Sequence, residues 1–309
     1  MNPNPHIDAA TFATITVTFN PDIDALAAQM GGLPQDCVKV VIDNASEATV
    51  YERVQLLVAR FQNVVFLHNE ENIGLAAAIN HGARVVSEQD SVPRFVLLLD
   101  QDSEPQPGSI GALITAFRTL EAEGNQVGCV GPLLRDPATG LTHGFHGCTR
   151  WRWKRIYPPA GSVAPIPCAN LNGSGTLVPL DLFLRLGGLD ESFFIDHVDT
   201  EWAFRVSHSG YSLWGIPTAE FVHRMGQTSV RFWWFGWRVW PSRSPERHFY
   251  LFRNAVTLLH RDYVPRVWKV WSVVKLLVTA IVNGLHDRDR RAQLSHMWRG
   301  VCAALTRSK

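Results

Sequence analysis

Apolar and polar positions switch between two periods along the first hundred residues. Residues 11–19 (TFATITVTF) are β-branched and aromatic and end at Asn20-Pro21, which predicts a first strand. Residues 22–30 have helical spacing, with Asp22 placed to cap the start and Gly31-Gly32 placed to stop it. Residues 37–42 predict a second strand that runs into Asp43-Asn44-Ala45-Ser46, and residues 50–61 a second helix. Residues 64–67 predict a short third strand followed by a polar run to Asn72, and residues 73–86 a third helix. Residues 94–99 close the series. Their apolar run FVLLL ends in Asp100-Gln101-Asp102 and reads as a strand buried on both faces, as in a parallel sheet.

Strand and helix in strict alternation predict an α/β fold with a mostly parallel sheet sandwiched by helices. Such sheets bind ligands at the carboxyl ends of their strands. Three successive strands deliver polar groups there: Asn20, then Asp43, Asn44 and Ser46, then Asp100 and Asp102. On an extended backbone Asp100 and Asp102 point the same way. Two clustered carboxylates are costly without a cation, and a divalent metal holding a diphosphate supplies one. No glycine fingerprint of the dinucleotide or P-loop kind follows the first strand, which weighs against an oxidoreductase or a P-loop ATPase.

Further along, residues 105–124 predict a helix and 127–130 a strand. Residues 135–168 are rich in Gly, Pro, His and Arg and predict a loop or hairpin over the site. Residues 171–178 hold a Gly-Ser-Gly turn entering a strand, where small residues let a substrate approach the backbone. Residues 179–186 predict a helix closed by Gly187-Gly188. Five carboxylates then fall within residues 190–201, ahead of and inside a helix that stops at Gly210. In that group Asp196 is placed as a helix cap and Glu201 as the partner of Arg205 one turn on. A strand over 211–216 leads to His223.

Charge changes the picture only beyond this point. Residues 1–223 carry 13 Lys/Arg against 24 Asp/Glu, whereas residues 224–309 carry 16 against 4. Eight of the 11 Trp lie beyond residue 210, so a basic, Trp-rich region follows an acidic body, and an anionic partner surface is expected for it. Residues 231–240 interleave Trp and Phe with Arg. Residues 246–260 predict a helix carrying Tyr250, Arg253 and Asn254. Residues 265–285 predict a longer apolar helix with a narrow polar stripe of Arg266, Lys269, Ser272, Lys275, Thr279 and Asn283. Spanning a bilayer would put Lys275 near its middle at about 3 kcal/mol, so lying in the interface is favoured, the alternative being packing on the body or in a homodimer. The five Cys form no Cys-x-x-Cys pair, which fits a reducing cytoplasm. The first residues show no basic segment followed by an apolar core, so a secretory leader is not expected.

The motifs VTFNP, VIDNAS, NEENIGLAAAINHGAR, LLLDQDS, NGSGTLV and GGLDESFFIDHVDTEWAFR, in that order and followed by a late His, closely resemble the family 2 glycosyltransferases of GT-A fold. Within them the chain is most similar to bacterial rhamnosyltransferases of polysaccharide and O-antigen assembly. The resemblance spans residues 12–260 and implies a catalytic domain over 1–225 with a helical region over 226–309. It implies that Phe19 and Asp43 hold a pyrimidine base, and that Asn72, Gly74 and Asn80 line the nucleotide pocket or order its loop. Asp100 would reach the ribose or the metal, and Asp102 would bind Mg²⁺ or Mn²⁺ at the diphosphate. His223 stands where some members supply a further metal ligand, and Gly173, Ser174 and Trp202 would face the acceptor. Asp199 stands at the position of the general base. The family usually has Glu-Asp there, whereas here Val198 precedes Asp199, which leaves Asp196 and Glu201 as competitors. The implied reaction is inverting transfer of a sugar, L-rhamnose from dTDP-L-rhamnose or a hexose from a UDP-sugar, to a saccharide or lipid-linked acceptor at the inner face of the cell membrane. A nucleotidyltransferase and a noncatalytic carbohydrate-binding protein are the competing readings, and no nucleic-acid partner is expected.

Overall fold

The computed structural model describes residues 11–137, 139–223, 229–233, 237–241 and 243–307. Three βα units open the chain: β1 (Phe12–Thr18), α1 (Ile23–Gly32), β2 (Val38–Asn44), α2 (Ala48–Val58), β3 (Val64–Asn69) and α3 (Leu75–Ser87). β4 (Phe95–Asp100), β5 (Ser103–Pro105), α4 (Ser109–Ala122), β6 (Val127–Arg135) and β7 (Thr142–His143) follow. Next come β8 (Phe145–Cys148), β9 (Trp153–Ile156), β10 (Ile166–Cys168), β11 (Thr176–Pro179), α5 (Leu180–Arg185), α6 (Val198–His208) and β12 (Ser212–His223). The chain ends with β13 (Ser229–Trp233), β14 (Trp237–Pro241), α7 (Pro245–Leu259), α8 (Arg266–His286) and α9 (Arg290–Arg307).

The main sheet runs β10-β12-β6-β11-β4-β1-β2-β3. Its β4-β1-β2-β3 half is wholly parallel, as the alternation of elements predicts. β11 enters antiparallel between β4 and β6, and β12 runs parallel to β6. The run in β4 explains its central place. Phe95, Leu97 and Leu99 pack on one face with α1, α2 and α4, while Val96 and Leu98 pack on the other with α3, α5 and α6. Both faces are covered, so the strand needs no polar alternation.

Asp22 caps α1 as expected, its carboxylate accepting from the amides of Asp24 and Ala25. Gly31 and Gly32 do not stop that helix. They form its last turn, and the helix ends at Leu33 instead. The insertion over 135–168 is a hairpin, with β8 and β9 paired antiparallel. β13 and β14 form a second hairpin from the aromatic run, whose side chains lie outside the described residues, as does the expected domain boundary at 225.

α8 inverts the usual arrangement of a surface helix. Its polar Ser272, Thr279 and Asn283 are buried against the protein, while Val270, Val274, Leu277, Ile281 and Leu285 form an exposed row. By length and composition this is the one helix among the described residues able to cross a membrane.

Candidate active site

The acidic turn after β4 is fixed from beneath. Gln29 of α1 is fully buried, and its amide donates to the carbonyls of Asp100 and Ser103 while its oxygen accepts from the Thr16 hydroxyl. β5 then pairs antiparallel with the end of β12, setting Ser103 opposite His223. That pairing brings His223 Nδ1 to 3.3 Å from Asp102 Oδ1 and Nε2 to 4.0 Å from Asp100 Oδ2. One ligand atom from each of the three lies within 4.8 Å of the others. Behind them the Ser103 and Ser174 hydroxyls are hydrogen-bonded. Ser174 is 2% exposed, so it supports the turn and does not face an acceptor.

Electrostatics show what this turn lacks. Burial raises the Asp100 carboxyl, and Asp102 raises it further against the opposing His223. Burial disfavours charge on His223, but its bond to Asp102 and the charges of Asp100 and Asp102 outweigh burial and raise it. The turn is short of positive charge, and two carboxylates with one imidazole form a donor set that fits a divalent cation. An imidazole ligand suits Mn²⁺ better than Mg²⁺, which prefers oxygen throughout.

The neighbouring strand ends are tied into one rim. The Phe19 amide donates to Gln101 Oε1 and the Asn20 amide to Ser46 Oγ, both at 2.8 Å, and the Glu47 amide donates to Asn20 Oδ1. Phe19 is half-exposed on this rim. Asp43 lies wholly beneath it, accepting from Thr18 Oγ1, the Ser46 amide and His68 Nδ1, and it does not cap α2, which starts after Glu47. Asn72 and Asn80 both order loops. Asn72 Oδ1 accepts from Asn44 and from the Gly74 amide. Asn80 is buried, holding both the amide and the carbonyl of Leu189 and also the Glu191 carboxylate. Gly74 has φ +86°, and a Cβ there would lie 2.6 Å from the Phe194 ring, so only glycine fits.

The carboxylate cluster sorts itself by partners. Glu201 is buried in the expected pair with Arg205 (2.8 Å) and also accepts from the Tyr263 hydroxyl. Asp196 is not a helix cap. The residue before α6 is His197 at φ +63°, and Asp196 instead pairs with Arg247 at 3.0 Å and Arg243 at 3.9 Å. Asp199 has no cation within salt-bridge distance among the described residues. Its Oδ1 accepts from the amide and hydroxyl of Thr200, and its Oδ2 takes no hydrogen bond there. Burial pushes its carboxyl up to about 6, with Asp100 and Asp196 adding and the Thr200 bonds opposing. Gly173 stands beside it: a Cβ there would come no closer than 3.9 Å to the Asp199 side chain. Trp202 does not face the acceptor. It is 3% exposed, packed against Phe183 with Arg205 over its ring, because it lies on the inner face of α6.

The loop leading to Asp199 is unusual in its backbone. Phe194, Asp196 and His197 all have positive φ, near +60°, a region non-glycine residues adopt at a cost of about 1–3 kcal/mol each. α7 holds it there. The fully buried Asn254 amide donates to the carbonyls of Phe193, Ile195 and Asp196, Arg253 donates to that of Ser192, and Tyr250 stacks on Phe194 at 4.7 Å. The sequence marks these α7 residues as polar positions in a helix and carries no signal of what they hold.

The family pattern described as Glycosyl transferase family 2 matches residues 23–170. Over 268 residues, 85% of each chain, the sequence is 30% identical to the dTDP-rhamnosyl transferase RfbF of Shigella flexneri. The chain is a family 2 glycosyltransferase. This transferase is also 24% identical over 252 residues, 72% of its length and 78% of the relative's, to the N-acetylglucosaminyl-diphospho-decaprenol L-rhamnosyltransferase of Mycobacterium tuberculosis. Two solved structures share its GT-A fold. GalNAc-T7 with UDP, GalNAc and Mn²⁺ superposes at a TM-score of 0.59 and 16% identity, over 96% of the transferase and 56% of that chain. The mannosyltransferase PcManGT of Pyrobaculum calidifontis with GDP-Man and Mn²⁺ superposes at 0.55 and 14% identity, over 97% and 88%.

Proposed function

We propose that this transferase moves L-rhamnose from dTDP-L-rhamnose to a hydroxyl of a saccharide on a lipid-linked acceptor, with inversion at the anomeric carbon. The observation that carries the reading is that Asp100, grouped with Asp102 and His223, lies near enough to raise the Asp199 carboxyl, and that Asp199 is, among the described residues, the one catalytic-carboxylate candidate of three without a cationic partner. Relatives named for dTDP-rhamnosyl and L-rhamnosyl transfer support the sugar. Asp100, Asp102 and His223 would hold Mn²⁺ or Mg²⁺, which when bound offsets charge on the leaving diphosphate. Asp199 takes the proton of the attacking hydroxyl. A carboxyl near 6 is ionised at neutral pH and is more basic than an ordinary aspartate. Gly173 leaves room beside it for the acceptor. Among the described residues no second carboxylate pairs with Asp199, which supports direct displacement and hence inversion.

The donor reading is tested by thermal shift with Mn²⁺ present. The half-exposed Phe19 should take a pyrimidine base on the rim, and the buried Asp43 would exchange one of its partners, Thr18, Ser46 or His68, for the imide N–H; on that reading dTDP and UDP should stabilise the protein and GDP and CMP should not. At a free concentration of about 100 times Kd the gain is about 2.7 kcal/mol. Stronger stabilisation by GDP would overturn the pocket reading. Turnover of UDP-hexoses but not dTDP-rhamnose would overturn only the sugar.

The same reading places the enzyme on the cytoplasmic membrane surface through residues 226–309. α8 turns an apolar row outward and its Ser272, Thr279 and Asn283 inward, while Arg266 and Lys275 stay exposed, the arrangement of a helix lying in a lipid interface and not surrounded by it. The surplus of Lys and Arg in this region adds about 1 kcal/mol for each one near an anionic surface. Wild-type protein should float with anionic vesicles, and the double change Val274→Asp and Leu277→Asp, both at exposed positions, should abolish flotation without lowering the melting temperature. Wild-type protein that stays with the soluble fraction, and is converted from dimer to monomer by the same changes, would make this face a homodimer interface instead.

A further inference from the structure

The hairpin of β8 and β9 and the helix α8 meet beside Asp199, and their contact brings cations together. In β9, Trp153 and Arg155 are two residues apart and share a face. His146 of β8 is directly opposite Arg155 and stacks on Trp153 at 5.5 Å, so all three side chains lie on that face. Trp153 packs against Trp271 of α8 at a centroid distance of 6.5 Å. One turn on, Lys275 sets its ammonium 4.9 Å from the Trp271 ring. Arg155 and Arg243 both lie near enough to act on the Lys275 charge, Arg243 from the segment before α7, where Asp196 is 3.9 Å away.

These charges sense one another. Burial lowers the Lys275 ammonium to about 8, with Arg243 and Arg155 adding, and Asp196 and Asp199 only partly opposing. Burial, Arg155 and Lys275 lower His146 to about 4, and burial, Lys275 and Arg243 do the same to His197. Neither Arg155 nor Lys275 has a carboxylate within 4.0 Å among the described residues; Arg155 donates only to the neutral Nδ1 of His143, at 3.0 Å. Both side chains reach solvent, so the edge is open to a ligand. Arg155 and Lys275 repel one another, have no carboxylate within salt-bridge distance among the described residues, and are balanced only in part by Asp196 and Asp199, which makes a preformed anion site.

We propose that Arg155, Lys275 and Arg243 form a phosphate-binding subsite on the acceptor side of the cleft, which takes the diphosphate joining the acceptor saccharide to its lipid. The subsite deepens the lipid-linked acceptor reading above and rests on it. The placement favours this diphosphate over the donor's, because the donor's is the one Asp100, Asp102 and His223 would serve. The neighbours of Lys275 on α8, Val274, Leu277 and Val278, are exposed and apolar, so hydrocarbon attached to a phosphate held here has a surface to follow.

The probe is inorganic pyrophosphate, titrated calorimetrically into the full-length protein in EDTA, which removes any cation from the acidic turn. Wild-type protein should bind it. Arg155→Gln and Lys275→Gln should each weaken binding about tenfold, the effect of losing one charge-assisted hydrogen bond, and Arg155→Lys should recover part of it. Affinity for dTDP with Mn²⁺ should be unchanged in all three. Absence of pyrophosphate binding in wild-type protein, or equal binding in the glutamine variants, overturns the subsite. Parallel loss of dTDP affinity assigns these cations to the donor, and loss of anionic-vesicle flotation with pyrophosphate binding intact assigns them to lipid headgroups; either outcome overturns it. None of these readouts needs turnover, so failure of rhamnosyl transfer leaves the result standing, and failure here leaves the transfer reaction standing.

Discussion

Asp199→Asn is expected to lower turnover at least ~10²-fold while donor binding is retained. Asparagine keeps the shape and can still accept from Thr200, so the loop and α6 stay in place. It cannot take a proton. Of the three carboxylates that compete for the role, Glu201 is committed to Arg205 and Tyr263, and Asp196 to Arg247 and Arg243. An inactive Glu201→Gln or Asp196→Asn beside an active Asp199→Asn would reverse the assignment. The pH profile gives a second reading. A base must be ionised, so kcat should fall as pH drops through about 6, where burial sets this group. Stability follows the opposite sense. A carboxyl raised above its unfolded value favours folding below about 4 and loses that contribution as pH rises through about 6. Asp199→Asn should therefore melt higher than wild-type protein at pH above about 7, and the two should converge in acid.

Asp102→Ala is expected to abolish transfer and to weaken metal-dependent dTDP binding without unfolding the protein. The turn keeps its backbone ties to Gln29 and β12, which do not involve the Asp102 side chain. What goes is one of two carboxylates in a three-residue donor group, and with it the hold on the cation that would offset the charge of a diphosphate. EDTA should have the same effect on wild-type protein, and Mn²⁺ should restore activity more readily than Mg²⁺. Full activity in EDTA together with a wild-type-like Asp102→Ala would remove the metal from the reaction.

The first four strands are legible in the sequence because each is a β-branched or apolar stretch ending in polar residues, and for β4, an unbroken apolar run buried on both faces, there is little else to be. Asp102 is legible for the same reason. Its partnership with His223 is not, because the two are joined by β5 pairing with β12 across more than a hundred residues, and no local pattern encodes that register. Asp196 reads as a cap because Asp before a helix often is one; the arginines that claim it come from a loop and helix 47 and 51 residues on. Trp202 illustrates a different limit. Its neighbours are acidic and site-like, but the 3.6-residue period turns it inward. In α8 the polar stripe is plain in the sequence, while the burial of its uncharged members Ser272, Thr279 and Asn283 depends on what the body offers them.

The clamp that α7 places on the loop before Asp199 has a consequence for how the enzyme comes into being. The sheet, Asp100, Asp102 and His223 are all encoded before residue 224, so they can assemble while the rest of the chain is still being synthesised. The strained run from Phe194 to His197 cannot be held until Asn254 has emerged, and α7 in turn packs against α9, where Gly300 lies directly on its backbone. If Asp199 is the base and the strand ends hold the donor, as proposed above, donor binding matures early on the ribosome and the base is set late.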